Sequence, residues 1–222
     1  MRVLAVDTSS ARGSAALSEK GIVLAETRLA SSIQHSERLF ASIEFIFRFA
    51  PFTLGDVDLF AATRGPGSFT GLRIGLAAME GFAAAYGKPS AGVSTLEALA
   101  WQTGIEDAPV AAVIDARRGE VYAALYRRHG GARQGALQEE LAPVAMPLGD
   151  WLERLPEGVI HFCGDGALRY RSLLTRETWR LHEGGLYLAG TVATMVETMN
   201  YTRLEPLYVR RTDAELARER RP

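Results

Sequence analysis

The stretch Arg64-Gly-Pro-Gly-Ser-Phe-Thr-Gly-Leu-Arg-Ile-Gly-Leu-Ala-Ala-Met-Glu-Gly-Phe-Ala-Ala-Ala-Tyr-Gly-Lys88 decides how the rest of the chain is read. It opens as a glycine-proline turn after a strand-like run, Val57-Asp-Leu-Phe-Ala-Ala-Thr63, and becomes a helix from Phe69 to Tyr86. Ser68 or Thr70 is placed to cap its start, and Gly87 followed by Pro89 to stop it. Arg73 and Glu80 are its only charges, while Gly71, Gly75, Ala78, Phe82 and Ala85 make a mostly small stripe at helical spacing. An interior glycine costs about 1 kcal/mol relative to alanine, so Gly71, Gly75 and Gly81 together imply a close backbone approach. A helix apolar nearly all round is expected to be buried on two sides.

Three readings compete for the turn. Backbone N–H groups at a helix start suit an anion, but a P-loop would need a lysine after Thr70, and the dinucleotide fingerprint would need glycine at Thr70 rather than at Gly71. The next strand, Pro89–Val93, ends in Ser94 and Thr95 instead of a ribose-binding acid. The second reading is a tight strand-to-helix turn with packing glycines. The third is a family signature, which depends on what surrounds the turn.

Upstream, Val3–Val6 is a short apolar run ending at Asp7-Thr-Ser-Ser10, followed by Gly13–Ser18, a Glu19-Lys-Gly21 turn and Ile22–Leu29. This reads as a three-strand meander. A helix from Ser36 to Phe49 stops before Pro51, and a helix over Thr95–Thr103 follows the strand at 89–93. The order βββαβαβα mixes a hairpin sheet with parallel crossovers, as in the ribonuclease H-like fold. Ala108-Pro109 marks a boundary, after which Val110–Asp115 repeats the opening pattern, Ala116-Arg-Arg-Gly119 turns, and Glu120–Tyr126 returns. A weaker strand is expected before Pro143, then a helix near 149–155, the strand Val159–Cys163, the turn Gly164-Asp-Gly-Ala167, and helices near 168–175 and 186–199. Two halves opening alike indicate a duplication. The expected architecture is α/β, two ribonuclease H-like lobes of the actin/sugar kinase/Hsp70 (ASKHA) type with mixed sheets flanked by helices, over 1–107 and 108–205, with a tail at 206–222.

Proteins of that architecture hold phosphates in Asp-ended hairpins and adenosine at a glycine-rich turn. Here Asp7-Thr-Ser9 lacks the expected glycine and Asp115-Ala-Arg-Arg118 places arginines where glycines would serve. Asp115, Arg117, Gly164, Asp165 and Gly166 therefore support at most weak nucleotide binding. The histidines at 35, 129, 161 and 182 form no His-x-x-x-His pair, no Gly-x-Ser-x-Gly elbow exists, and Cys163 has nothing beside it in sequence to lower its pKa. Tyr122, Tyr126, Arg127 and Arg128 are too few for a base-stacking surface. Net charge is −1 over 222 residues, which gives no global case for nucleic acid as sole partner. A lone cysteine fits a reducing cytosol, the first strand is too short for a signal peptide, and no run approaches the roughly 20 apolar residues of a membrane span.

Gly65-Pro-Gly-Ser-Phe-Thr-Gly-Leu-Arg-Ile-Gly75 resembles, almost letter for letter, the signature of the TsaB (YeaZ-type) family. Asp7-Thr-Ser9, His35-Ser-Glu37, Asp115-Ala-Arg117 with Glu120-Val-Tyr122, Gly164-Asp-Gly-Ala167 and Pro206-Leu-Tyr-Val-Arg210 follow in the same order. The resemblance marks Asp7, Thr8, Ser9, His35, Glu37, Gly65, Gly67, Ser68, Thr70 and Arg73 as motif residues. It implies a cytoplasmic, non-catalytic paralogue of TsaD, the enzyme that transfers threonylcarbamoyl to N6 of adenosine 37 in tRNAs reading codons that begin with adenine. It further implies direct binding to TsaD through the two N-terminal helices, with TsaE joining, a homodimer when alone, tRNA met only through the complex, and ATP or ADP only at a composite site. The first helix carries more apolar surface than one face needs, which agrees with such an interface. Phe40, Ile43, Phe47, Gly71, Gly75, Met79 and Phe82 are the residues expected to form it. The alternatives are a small ATP-dependent kinase or ATPase of the same fold, or a peptidase without visible metal ligands.

Overall fold

The computed structural model describes residues 1–30, 35–129, 137–198 and 203–210, and of residues 35–37 the backbone alone. Strands β1 (Arg2–Asp7), β2 (Arg12–Glu19) and β3 (Ile22–Ala30) form an antiparallel meander. The chain then runs through α1 (His35–Phe49), β4 (Leu59–Gly65), α2 (Phe69–Tyr86), β5 (Ser90–Ser94) and α3 (Thr95–Gln102). The second half repeats this with β6 (Pro109–Arg117), β7 (Glu120–Arg128), β8 (Leu137–Pro147), α4 (Leu148–Leu152), β9 (Ile160–Cys163), α5 (Asp165–Arg169), β10 (Trp179–Leu181) and α6 (Ala189–Met195). The sheets are ordered β3-β2-β1-β4-β5 and β10-β9-β6-β7-β8. Reversing the second gives the first: a meander whose opening strand pairs in parallel with β4 or β9, and that strand in parallel with β5 or β10.

Local chemistry explains the elements. Val3–Val6 is fully buried because β1 is central and covered on both faces, which is why it reads as a continuous apolar run. The β2–β3 turn places Lys20 at φ 51° and Gly21 at φ 73°, and the β6–β7 turn places Arg118 at 56° and Gly119 at 83°. Both are the left-handed two-residue turns that suit a hairpin's twist. Helix α2 has the bounds expected of it. The Ser68 hydroxyl accepts from Gly71 N at 3.3 Å, and Gly87 closes the helix at φ 64°.

Several expectations are corrected. β8 continues past Pro143 to Pro147, because it is an edge strand with a bulge between Leu141 and Val144 that leaves proline's missing N–H without consequence. β10, which the sequence reading left out, extends the second sheet, and the helix expected near 168–175 is α5, starting at Asp165, followed by a 3-10 turn over Arg171–Leu173. α6 is shorter than 186–199. Helix α2 is buried on one side only, through Leu72, Leu76, Met79 and Ala83. Thr70, Arg73, Ala77, Glu80, Ala84 and Ala85 are exposed. Alanines outside the core are explained by helix propensity.

The halves interlock. Helix α6 packs on β1, β2, β3 and β4 of the first sheet, while α3 packs on β6 and β7 of the second as well as on β4 and β5. Ala189 N donates to the Ser14 hydroxyl at 3.1 Å, and the Ser18 hydroxyl lies 3.4 Å from Ala193 O. One apolar core containing Val3, Leu59, Leu96, Val110, Tyr126 and Val192 is built from both halves. A second return is made by residues 203–210, the part of the tail region that is described. Leu204 enters the core of the first lobe beside α1 and α2, and Leu207 N donates to Arg64 O at 2.7 Å. A β-carbon at Gly92 would lie 2.8 Å from Arg203 O, and one at Gly65 (φ 118°) 2.6 Å from Leu207 O. Glycine is required where the strap crosses. Leu204→Ala is expected to lower unfolding free energy by about 2–5 kcal/mol, measurable as a reduced urea midpoint at unchanged m.

Candidate functional site

The signature turn is built against the end of β1. Ser68 N donates to Ser9 O at 2.6 Å, and a β-carbon at Gly67 would lie 2.5 Å from that same oxygen. β-Carbons at Gly71 and Gly75 would overlap Thr8 O and Thr8 Oγ1. The small stripe of α2 thus receives the Asp7-Thr8-Ser9 turn of its own chain. The buried Asp7 carboxylate accepts from Ser9 N at 3.0 Å and from the Thr63 hydroxyl at 2.8 Å. Burial pushes its carboxyl above the ordinary range, against the pull of those hydrogen bonds. Asp7, Thr8, Ser9, Gly67, Ser68, Gly71 and Gly75 therefore form one intramolecular joint, while Gly65 admits the strap at Leu207. Thr70 and Arg73 lie exposed on α2. The side chains of His35 and Glu37, also singled out from the sequence, lie outside the described residues.

This corrects part of the expected interface. Gly71 and Gly75 approach Thr8 rather than a partner's helix, and Ile43 and Met79 are buried among Leu4, Phe60 and Leu76 in the chain's own core. Phe47 and Phe82 are half-buried against that core. Of the seven residues, Phe40 is openly exposed, at 51%. Its ring meets Phe82 edge-on at 6.2 Å, and Phe82 in turn stacks on Phe60 at 5.8 Å. The exposed surface also includes Phe45 and Phe49, in edge contact at 5.4 Å with Phe49 71% exposed, and Tyr86 at the far end of α2. Phe45 and Phe49 stand off the Leu39–Ile43–Ile46 stripe that faces the core. That displacement was the sequence signal for an outward position.

Between the lobes lies a cleft of about 180 Å³ lined by Asp7, Ser9, Arg12, Thr95, Ile114 and Asp165, among others. Each aspartate is engaged by backbone. Asp165 accepts from Asp115 N at 3.0 Å, and Asp115 accepts from Arg117 N at 3.0 Å and pairs with Arg169 at 3.3 Å. Burial pushes Asp165 upward; the hydrogen bond from Asp115 N opposes it most, the Asp115 carboxylate adds to the rise, and Gly166 N and Arg12 oppose it more weakly. A β-carbon at Gly166 would lie 2.7 Å from Ile114 C, and one at Gly164 (φ 98°) would overlap Val113 O. The structure thus brings Asp115, Gly164, Asp165 and Gly166 together, but their glycines admit the β6 backbone. Arg117 is exposed beside the hairpin turn. A neighbouring cavity of about 340 Å³ shares Leu99 and Leu186 with the cleft and includes Cys163, whose buried thiol is pushed up to about 12. The polar lining of the smaller cleft consists of the carboxyls of Asp7 and Asp165, the hydroxyls of Ser9, Ser10 and Thr95, and the guanidinium of Arg12.

Comparison with known proteins agrees with this geometry. The family model described as TsaD, tRNA N6-adenosine threonylcarbamoyltransferase, matches residues 23–161. The tRNA threonylcarbamoyladenosine biosynthesis protein TsaB of Escherichia coli (strain K12) is 36% identical over 162 residues, covering 68% of this chain and 70% of that protein. TsaB of Bacillus subtilis (strain 168) is 32% identical over 157 residues, covering 71% and 67%. The structure of YeaZ from Pseudomonas aeruginosa superposes with a TM-score of 0.72 at 29% identity over 93% of this chain and 99% of that one. Ethanolamine utilization protein EutJ from Carboxydothermus hydrogenoformans, at 12% identity and a TM-score of 0.54 over 88% and 90%, shares the fold. With the duplicated two-lobe architecture and the glycine signature seated on the first strand, these matches establish that the chain belongs to the TsaB (YeaZ-type) family.

Proposed function

We propose that this chain is a non-catalytic subunit of the cytoplasmic machinery that places threonylcarbamoyl on N6 of adenosine 37 in tRNAs reading codons that begin with adenine. Its task is to bind TsaD and hold it in an active arrangement, with TsaE joining the assembly, and it forms a homodimer when TsaD is absent. Any ATP or ADP belongs to a composite site in the complex. The observation that carries this reading is the aromatic surface of α1 and α2, where Phe40, Phe45 and Phe49 remain exposed while the opposite faces of both helices fill the core. Burying one phenylalanine contributes about 1.5–3 kcal/mol, so three left in water favour a partner. The cleft adds a second support, since its aspartates hold its own turns in place. Among the described residues no helix is long and apolar enough to cross a membrane.

Size-exclusion chromatography with light scattering, on the protein alone and mixed with TsaD, tests the reading. A dimer that exchanges into a one-to-one heterodimer is expected, and a monomer indifferent to TsaD that binds magnesium-ATP tightly would instead indicate a kinase or ATPase. Phe49→Asp and Phe40→Asp should each weaken association by roughly tenfold or more without lowering thermal stability. Gly75→Leu should unfold the chain, because the clash is with Thr8. Asp7→Asn tests the structural role of the cleft. The carboxyl of Asp7 is raised in the folded state, so its contribution is fully present below the unfolded value near 3.8 and is lost as pH rises through the folded one. The melting temperature of the wild type relative to Asp7→Asn should therefore fall from acid to neutral pH, with TsaD binding intact in both.

A further inference from the structure

The strap at 203–210 is flanked by two arginine–aromatic stacks. On the side of α2, the guanidinium of Arg73 lies 3.9 Å from the centroid of Phe69 and its Nε is 3.4 Å from the Tyr208 hydroxyl. The Phe69 and Tyr208 rings are 5.7 Å apart, and each keeps more than two-fifths of its surface exposed (44% and 45%). Two residues further along the strap, Arg210 donates to Ala116 O at 3.2 Å, pairs with Glu120 and lies 5.6 Å from the Tyr122 ring centroid. Arg117, exposed beside that hairpin turn, adds a third guanidinium. Of the carboxylates beside the β6–β7 turn, Glu120 pairs with Arg210 and Asp115 with Arg169, while Glu205 of the strap lies exposed three residues before Tyr208. This surface differs in kind from the phenylalanine face of α1, where Phe45 and Phe49 contact each other. Exposed rings stacked with guanidinium groups bind unpaired bases through their π-faces and phosphates through charge, whereas a duplex hides its base faces.

We propose that this surface holds a single-stranded RNA segment, with one unpaired base on the Phe69–Tyr208 platform and the adjoining phosphates on Arg73 and Arg117. The inference rests on the reading of the chain as a component of a tRNA-modifying assembly and gives this subunit a direct contact with the substrate. The test is fluorescence anisotropy with the full-length protein, using a labelled RNA hairpin with an unpaired loop and a blunt RNA duplex of equal phosphate count. Loop RNA should bind more tightly than duplex. Tyr208→Ala should weaken loop binding by roughly fivefold to a hundredfold, Tyr208→Phe should restore it, and Arg117→Gln should reduce the salt dependence by about one phosphate contact. Arg73→Gln, which leaves the strap's core contacts untouched, should weaken loop binding even if Tyr208→Ala proves unstable. Equal binding of loop, duplex and heparin by the wild type would overturn the proposal, as would loop binding unchanged in both Tyr208→Ala and Arg73→Gln. If RNA binding fails while the heterodimer with TsaD forms, this inference falls and the scaffold reading stands. If loop RNA binds but no heterodimer forms, the platform stands and the scaffold reading falls.

Discussion

Everything in the first lobe depends on how closely α2 can approach the end of β1. Two glycines one helical turn apart, Gly71 and Gly75, leave room for the backbone and hydroxyl of Thr8, and Gly67 does the same for Ser9. That approach is worth the loss in helix propensity, about 1 kcal/mol per glycine, because it lets the Asp7 carboxylate turn inward to Ser9 N and Thr63. The second lobe solves the same problem at the same place. Gly164 and Gly166 admit the end of β6, and Asp165 turns back to Asp115 N. The duplication is visible in the contacts as well as in the strand order.

A division of labour follows from this. The aspartates at the ends of β1 and β6 and at the start of α5 are committed to hydrogen bonds and an ion pair within the protein, so the space between the lobes is walled by engaged carboxylates. The surplus apolar surface lies elsewhere, on the outer sides of α1 and α2. Engaged carboxylates thus line the cleft, and exposed aromatic rings stand on the helices.

Much of this was legible in the sequence. The bounds of α2 follow from Ser68 and Gly87, because caps are local chemistry, and the duplication follows from two apolar strands that each end in aspartate. The glycine spacing announced a close approach, but glycine records only that something comes near and not what. Thr8 lies more than sixty residues away in sequence, and only the fold puts it there. For the same reason helical periodicity found the faces of α1 and α2 without saying which turned inward, so Ile43 and Met79, expected at an interface, lie in the core, while Phe45 and Phe49, off the core stripe, are exposed. β10 is three residues long and pairs in parallel with β9, too short for any alternation to register. The path of residues 203–210 depends on carbonyls meeting Gly65 and Gly92 from far along the chain, and no local pattern encodes that.

The crossing of α6 onto the first sheet has a mechanical consequence. In this molecule a helix from the second half is riveted to β2 by Ser14 and Ser18, and the strap fastens Arg64 on one lobe to Glu120 and Ala116 on the other. The two halves are thus tied at two places, by α6 and by the strap. Any movement of one sheet against the other therefore has to break α6's hold on β2 and the strap's hold on the β6–β7 hairpin together.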